Sequence, residues 1–181
     1  VLRDFGEDTS WNEPLYGQGF LRVQMPNSCY VVLDEVDSME DYLQRLSSRN
    51  RRHFRKDVQP YLDKAKTTVL PALSTTQIEQ VKSLFGEVQS RNLGLNTFSF
   101  PDSLFEKMND NHLWEFIVLC SLDKPERIVG VMFCYTNLKQ VYVPAFVGMD
   151  YDGLEEFAIY RQLLYRPIER AIGLGIPKID F

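Results

Sequence analysis

Three apolar runs of strand length follow one another between residues 113 and 148, and they constrain the fold more than any other feature. They read LWEFIVLC, RIVGVMFCY and QVYVPAFVG. The turn-rich segments SLDKPE and TNLK separate them, as expected where successive strands reverse direction. The sequence therefore predicts a three-stranded antiparallel meander.

Helix-like and strand-like segments flank this meander. Upstream, TTVLPAL (67–73) predicts a strand, and the spacing of Ile78, Val81 and Val88 predicts a helix that ends at Gly94. PDSLFEKMND predicts a shorter helix. Downstream, LEEFAIYRQLLYRPIERAIG predicts a helix with an irregularity at Pro167, and IPKIDF predicts a final strand. From residue 67 the order is β-α-α-β-β-β-α-β, which belongs to the α/β (α+β) class.

The first part of the chain, 1–66, is predicted to contain one strand and one basic helix. CYVVLDEV (29–36) has the composition of a strand. Ser38 followed by Asp41 resembles a helix-capping pair, and apolar residues then recur at helical intervals across about 39–65, with a kink expected at Pro60. We therefore divide the chain into an N-terminal segment, 1–66, and a domain, 67–181.

The predicted basic helix carries Arg45, Arg49, Arg52 and Lys56 at i, i+4, i+7 and i+11, which places them on one face. One interpretation is a clamp for phosphates, since arginine and lysine bind them through charge-assisted hydrogen bonds. The other is a solvated helix face that is paired with nearby acids. The sequence leaves both interpretations open.

Composition narrows the classes of function. The 181 residues are 44% hydrophobic and 13% aromatic, which suits a globular domain. A net charge of −5 disfavours a general nucleic-acid or membrane role, and no apolar run reaches the length of a membrane span. Three widely spaced cysteines predict neither a disulfide framework nor a metal site, and they favour a reduced, cytoplasmic setting. The chain begins without Met and ends within a predicted strand, so we expect a trimmed piece.

The order of these segments resembles the GNAT acyltransferase superfamily over about 67–181. The resemblance is closest to the branch related to the Fem-type peptidoglycan-bridge transferases and to BioF2-like GNAT domains. It is carried by RIVGVMF (127–133), QVYVPAFVGMDYD (140–152), YRQLLYRPIERAIGLG (160–175) and KIDF (178–181). YLQRLSSRNRRHFRK (42–56) is similar to the arginine-rich helix that precedes the domain in those proteins.

The resemblance implies a mixed, mostly antiparallel twisted sheet flanked by helices, which here stops after the fifth strand. The fourth and fifth strands, 140–148 and 178–181, would splay apart. The acyl and pantetheine arm of an acyl-CoA would lie in that gap, and its pyrophosphate would lie at the start of the helix at about 155–173. Pro144 fits a place where strand pairing lapses, because proline donates no hydrogen bond to a sheet, and a simple edge-strand proline explains it equally well.

The resemblance also nominates site residues. At the end of the fourth strand and on the following helix, the candidate cofactor contacts are Val147, Gly148, Met149, Arg161 and Tyr165.

Transfer to an amine needs positioning and a proton acceptor. The candidate catalytic residues are Asp150 as the base, Tyr142 and Asp180, and the candidate anion-binding residues are Arg49, Arg52 and Lys56. His53 and His112 lie in no nucleophile or metal motif.

Two short segments are possible binding sites for the phosphates of an acyl-CoA. RAIGLG (170–175) matches the R-x-x-G-x-G spacing of a phosphate loop, but a helix precedes it and a strand follows it. A phosphate site needs the reverse order, so Gly173 or Gly175 is predicted to end the helix instead. GMDYDGLEEFA (148–158) has the right position, yet its carboxylates would repel a pyrophosphate. A solvated acidic helix start is the simpler interpretation.

The leading functional hypothesis is an N-acyltransferase that moves an acyl group from acyl-CoA to a small-molecule or peptide amine. The first alternative is a Fem-type transferase that uses aminoacyl-tRNA in peptidoglycan bridge synthesis, with tRNA as a partner. The second is a catalytically silent recognition module. None of the three requires a metal.

Overall fold

The computed structural model describes residues 13–21, 29–91, 100–101 and 103–181. The strands are β1 Tyr30–Val32, β2 Ala65–Leu70, β3 Trp114–Ser121, β4 Ile128–Asn137, β5 Val141–Met149 and β6 Lys178–Asp180. The helices are α1 Glu13–Tyr16, α2 Met39–Arg45, α3 Ser48–Asp57, α4 Thr75–Arg91, α5 Ser103–Asn109, α6 Leu154–Phe157 and α7 Ile159–Gly173, and a 3-10 turn spans Gln59–Tyr61.

The strands form one six-stranded mixed sheet in the order β1-β6-β5-β4-β3-β2. All neighbours are antiparallel except β5 and β6, which are parallel. The α/β class and the mostly antiparallel sheet flanked by helices are therefore confirmed. The meander β3-β4-β5 is confirmed as well, and each of its strands begins one residue after the predicted start.

Two predicted helices are each divided in the structure. The helix predicted across 39–65 consists of α2, α3 and the 3-10 turn. The Ser47 hydroxyl accepts a hydrogen bond from the Asn50 N–H at 3.2 Å and so begins a new helix, while Leu46 is extended. The second helix breaks at Ala158, which has a left-handed φ of 47°, whereas α7 continues through Pro167. Neither break follows from apolar periodicity, because the spacing continues across both.

The segment RAIGLG ends α7, as predicted. Gly175 has a φ of +66°, and its N–H donates to the Ile172 carbonyl at 2.9 Å. The Ile176 N–H donates to the Ala171 carbonyl, also at 2.9 Å. This pair of bonds is a Schellman motif, which glycine favours because an L side chain is strained at that φ.

The parallel strands β5 and β6 pair at a single position, Tyr142 with Ile179. Beyond it, the register of β5 against β4 shifts so that Ala145 is an extra residue between Pro144 and Phe146. Pro144 therefore lies at a β-bulge on the β4 side, where it still pairs with Cys134, and the expected lapse of pairing between β5 and β6 stays a prediction. On the other side of β6, β1 pairs antiparallel, so the N-terminal segment contributes a strand to the same sheet.

Helices cover both faces of the sheet. On one face α4 buries Val81, Leu84, Phe85 and Val88; the sequence predicted this face. On the other face α7 buries residues that include Ile159, Leu163 and Ala171.

Glycines in the sheet permit the close contacts of α4 and α7 with it. A Cβ at Gly148 would lie 2.9 Å from the Phe85 nitrogen of α4, and one at Gly130 would lie 2.6 Å from Ile159 Cγ2 of α7. The sheet is therefore shaped to receive these helices at very short range.

We predict that Gly148→Ala lowers the free energy of unfolding by about 1–3 kcal/mol, because the new methyl group would overlap backbone that cannot move aside. Gly86→Ala in α4 is the matched control, since its Cβ would meet nothing within 4 Å among the described residues. It should raise stability by about 0.5–1 kcal/mol through helix propensity. Urea unfolding of both variants measures this, and equal effects would contradict the packing argument.

Candidate functional site

Four basic residues of α3 are exposed and lack acidic partners within the described part of the chain. Arg49, Arg52, Arg55 and Lys56 are all exposed, and their side chains form no ion pair or hydrogen bond with another described residue. In a chain of net charge −5 this is a local excess of positive charge. The interpretation as a face paired with local acids does not describe these four side chains.

Arg45 does not belong to this face. It lies in α2, forms an ion pair with Asp41 at 2.8 Å and donates to the carbonyls of Asp34 and Glu35. The predicted stripe of four cations on one helix is therefore wrong at its first member, because the chain leaves the helix after Arg45. Arg51 is also engaged, since it donates to the Gln44 and Leu46 carbonyls.

One side of α3 borders an open surface groove of about 560 Å³. Its lining consists of Ser48, Arg51, Arg52, Arg55 and Lys56. Of the three predicted anion-binding residues, Arg52 and Lys56 line this groove, and Arg49 lies elsewhere on the same helix. Such a surface attracts phosphates by charge and by guanidinium hydrogen bonds.

The turn between β5 and α6 is organised by Asp150. One carboxylate oxygen accepts hydrogen bonds from the N–H groups of Asp152 at 2.9 Å and Gly153 at 3.3 Å. The other forms an ion pair with Arg127. The carboxylate therefore occupies two of the backbone donors that an external anion could use at this turn. A role for Asp150 as a base stays a prediction.

The candidate cofactor contacts at the end of β5, Val147, Gly148 and Met149, face the core. Met149 is 6% exposed and packs with the residues beneath α7, and half-buried Val147 packs against the same cluster. Gly148 is needed for the approach of α4. Their backbone, rather than their side chains, is what a ligand beside β5 would meet.

Arg161 and Tyr165 connect α7 to α3. Arg161 donates to the Asp57 carbonyl at 3.3 Å and lies 3.6 Å from its carboxylate, and the Tyr165 ring packs on Phe54 with centroids 5.1 Å apart. Burial raises the pKa of Tyr165. The helix that connects β5 to β6 is therefore anchored to the basic helix.

Tyr142 and Asp180 lie on neighbouring strands but on opposite faces. Tyr142 is fully buried on the α7 face together with its register partner Ile179. Side chains alternate along a strand, so Asp180, the next residue of β6, points the other way. Asp150 is at the far end of β5, and the structure does not bring the three predicted catalytic residues together.

Tyr142 instead belongs to a polar network with Glu115 of β3 and Arg170 of α7. The Tyr142 hydroxyl donates to Glu115 Oε1 at 2.6 Å, and Arg170 donates to both carboxylate oxygens at 2.9 and 2.8 Å. The Cys134 thiol is buried beside them. This bidentate pair cross-links the helix to the sheet with defined geometry.

The network changes the protonation behaviour of its members. Burial opposes ionisation of Glu115, but the hydrogen bonds from Arg170 and Tyr142 and the charge of Arg170 outweigh it and lower its pKa. Burial and the nearby carboxylate raise the pKa of the Tyr142 hydroxyl, and burial raises that of the Cys134 thiol. The tyrosine and cysteine are therefore neutral near pH 7, and neither supplies an anionic nucleophile or base.

Sequence reasoning missed Glu115 and Arg170. The available signal was a single carboxylate inside the otherwise apolar run LWEFIVLC. A charged side chain in a buried strand needs a partner, because burying a charge without one is costly. The partner lies 55 residues away in sequence, so the pattern alone did not name it.

A scan of the chain against protein-family models finds no matching family, and a search of curated proteins finds no match.

The searched residues of the structure contain no cluster of three or more metal-ligating side chains of the His, Cys, Asp or Glu type. Among the helices that the structure describes, none has the length and apolar character needed to cross a membrane.

We predict that Glu115→Gln lowers the free energy of unfolding at pH 7 by about 1–3 kcal/mol, because Arg170 loses its charged partner. A lowered carboxyl pKa in the folded state stabilises above the unfolded pKa, so this contribution is lost as pH falls below about 4.5. The difference in the free energy of unfolding between wild type and variant should therefore become smaller in acid. Glu169→Gln, which removes a more exposed ion pair with Arg166, should change stability by less than about 0.5 kcal/mol. Denaturant titrations from pH 7 to pH 3 test this. A difference in the free energy of unfolding that stays constant with pH would contradict the prediction.

Proposed function

We propose that this chain is an acyltransferase domain of the GNAT type, which holds an acyl donor between β5 and β6 and transfers the acyl group to an amine. The observation that carries the proposal is the parallel β5-α7-β6 connection, in which the two strands pair at Tyr142 and Ile179. A helix, α7, connects them across one face of the sheet. The resemblance described above implies this arrangement of strands and helix.

An extended ligand beside β5 has a physical basis. β5 continues from Val143 to Met149 with β4 on one side. In this proposal β6 diverges from β5 after Tyr142, and the backbone groups of β5 that face it bind an extended chain that carries amides. The bulge at Ala145 reorients the local backbone at the same place. A pantetheine arm has the matching chemistry, because it is extended and contains amide groups.

The phosphates of the donor need a different location from the usual one. Asp150 already accepts from the two N–H groups of the turn after β5. The unpaired cations of α3 offer an alternative, and α3 is anchored to α7 through Arg161 and Tyr165. In this proposal Arg49, Arg52 and Lys56 bind the phosphates, and β5 binds the arm.

We predict that isothermal titration detects binding of acetyl-CoA, and that the affinity exceeds that of 3′-phosphoadenosine 5′-diphosphate, which has the same phosphate groups but no pantetheine arm. The excess in affinity reports the contribution of the arm beside β5, since the phosphate groups are common to both ligands. Longer acyl-CoAs and CoA itself complete the series. Equal affinity for acetyl-CoA and 3′-phosphoadenosine 5′-diphosphate, or no binding of any acyl-CoA, would overturn the proposal.

A second candidate is aminoacyl-tRNA-dependent transfer in the Fem manner. Two observations favour it: the exposed cations of α3 lack described partners, and the turn that would bind a CoA pyrophosphate is occupied by Asp150. An RNA backbone presents many phosphates and suits a basic surface of this kind.

For this candidate we predict salt-dependent tRNA binding that Arg49→Ala/Arg52→Ala weakens. The slope of log affinity against log salt should fall by about 2, or about 1 for each phosphate that is no longer bound. Lys107→Ala/Lys124→Ala is the matched control, because it removes the same charge from exposed sites outside α3. Filter binding at several salt concentrations measures both. If the two double variants behave alike, α3 is not the RNA site.

The protein would instead be identified as a recognition module if it binds a ligand but transfers no acyl group, when a broad set of donors is tested with a broad set of amines.

A further inference from the structure

Three cations of α3 lie close together on one side of the helix. Arg52, Arg55 and Lys56 occupy positions i, i+3 and i+4, and all three line the groove of about 560 Å³. Residues at this spacing are neighbours on a helix surface, with Cβ atoms about 5–6 Å apart. The positive charge of α3 is therefore concentrated at this groove.

This concentration of charge has no counterpart in the described part of the chain. None of the three side chains forms an ion pair or hydrogen bond with another described residue. The helix dipole favours a cation in the last turn, which accounts for Arg55 and Lys56 singly. It leaves the repulsion among the three cations in place, since like charges at this spacing destabilise a helix. A bound anion would relieve that repulsion.

The groove favours an anion that carries several charges in a compact group. The one acid in the sequence of α3 is Asp57, which lies 3.6 Å from both Arg161 and His53. Each guanidinium can donate two parallel hydrogen bonds to phosphate oxygens, and the lysine ammonium acts as a point charge. The volume falls within the roughly 300–1,000 Å³ of small-molecule sites. Two adjacent phosphates would give three neighbouring cations enough oxygens to bind.

We propose that this groove binds a diphosphate group, in which two phosphates share a bridging oxygen, through Arg52, Arg55 and Lys56. Arg51 lines the same groove but already donates to two backbone carbonyls. The inference deepens the proposed function and rests on its use of α3 as the phosphate site. It adds Arg55 as a binding residue, and it assigns the groove to the diphosphate of the donor rather than to the separate 3′-phosphate.

The test compares two isomers by isothermal titration in the absence of divalent cations. In ADP the two phosphates are adjacent, and in 3′,5′-ADP they are attached to different ribose oxygens. Because both phosphates of 3′,5′-ADP are monoesters, it carries at least as much negative charge near pH 7, so net charge alone would not favour ADP. We expect ADP to bind at least about fivefold more tightly. Equal affinities, tighter binding of 3′,5′-ADP, or no binding of ADP would overturn the proposal.

Arg55→Gln removes one of the three charges from an exposed side chain that has no described partner, so the fold should be retained. It should weaken ADP binding by about threefold or more, the scale of one solvent-exposed ion pair. Lys107→Gln is the matched control, because it removes one positive charge from an exposed site on α5. It should leave the affinity unchanged within about 1.5-fold. Equal losses in the two variants would contradict the assignment of the groove.

Failure of this inference and failure of the proposed function give different results. If ADP binds as expected but acetyl-CoA binds no more tightly than 3′-phosphoadenosine 5′-diphosphate, the diphosphate groove is supported and the site beside β5 is not. If acetyl-CoA binds more tightly than that ligand while ADP and 3′,5′-ADP bind alike, only the assignment of the groove is wrong. Binding of tRNA without binding of ADP would overturn the inference and favour the second candidate function.

Discussion

The packing of α7 on the sheet is the constraint on which the rest of the structure depends. One face of the helix is buried at Ile159 and Leu163 and approaches the backbone of β4 at Gly130, where a Cβ would collide with Ile159. Such contact requires close complementarity, since protein interiors leave little free volume. Because the same helix connects β5 to β6, its position also determines where these strands meet, at Tyr142 and Ile179.

The outer face of α7 holds the N-terminal segment in place through hydrogen bonds to backbone carbonyls. Arg161 donates to Asp57, buried Gln162 to Tyr61 at 2.8 Å, and Arg166 to Leu62 at 3.1 Å. These carbonyls end α3 and form the 3-10 turn, where partners within the chain segment are lacking. The basic helix is therefore fixed relative to the sheet, and the arginines that α7 uses here are distinct from the exposed ones on α3.

The charges of the protein divide into those that build the fold and those that remain available. Arg170, Arg127 and Arg45 each have a carboxylate partner, and their contributions are structural. The Asp150 carboxylate is likewise structural, because it accepts a hydrogen bond from the backbone of its own turn. The exposed cations on α3, which lack partners among the described residues, are the ones that a ligand can bind. The proposed function rests in part on this distinction, which residue type alone does not reveal.

The sequence by itself determined the meander, the helix faces and the end of α7, because these depend on local periodicity, turn residues and a glycine that adopts a left-handed φ. At Pro144 it left two interpretations open, a lapse of pairing and an edge strand, and the structure has a β-bulge against β4 there. It did not determine that the basic helix breaks after Arg45, since one serine capping bond outweighs an unbroken apolar spacing. Nor did it determine that Asp150 turns inward to its own backbone or that Glu115 meets Arg170. These contacts join residues whose side chains become neighbours only when α7 lies across the sheet, and only the tertiary structure decides which charges are neutralised and which remain free.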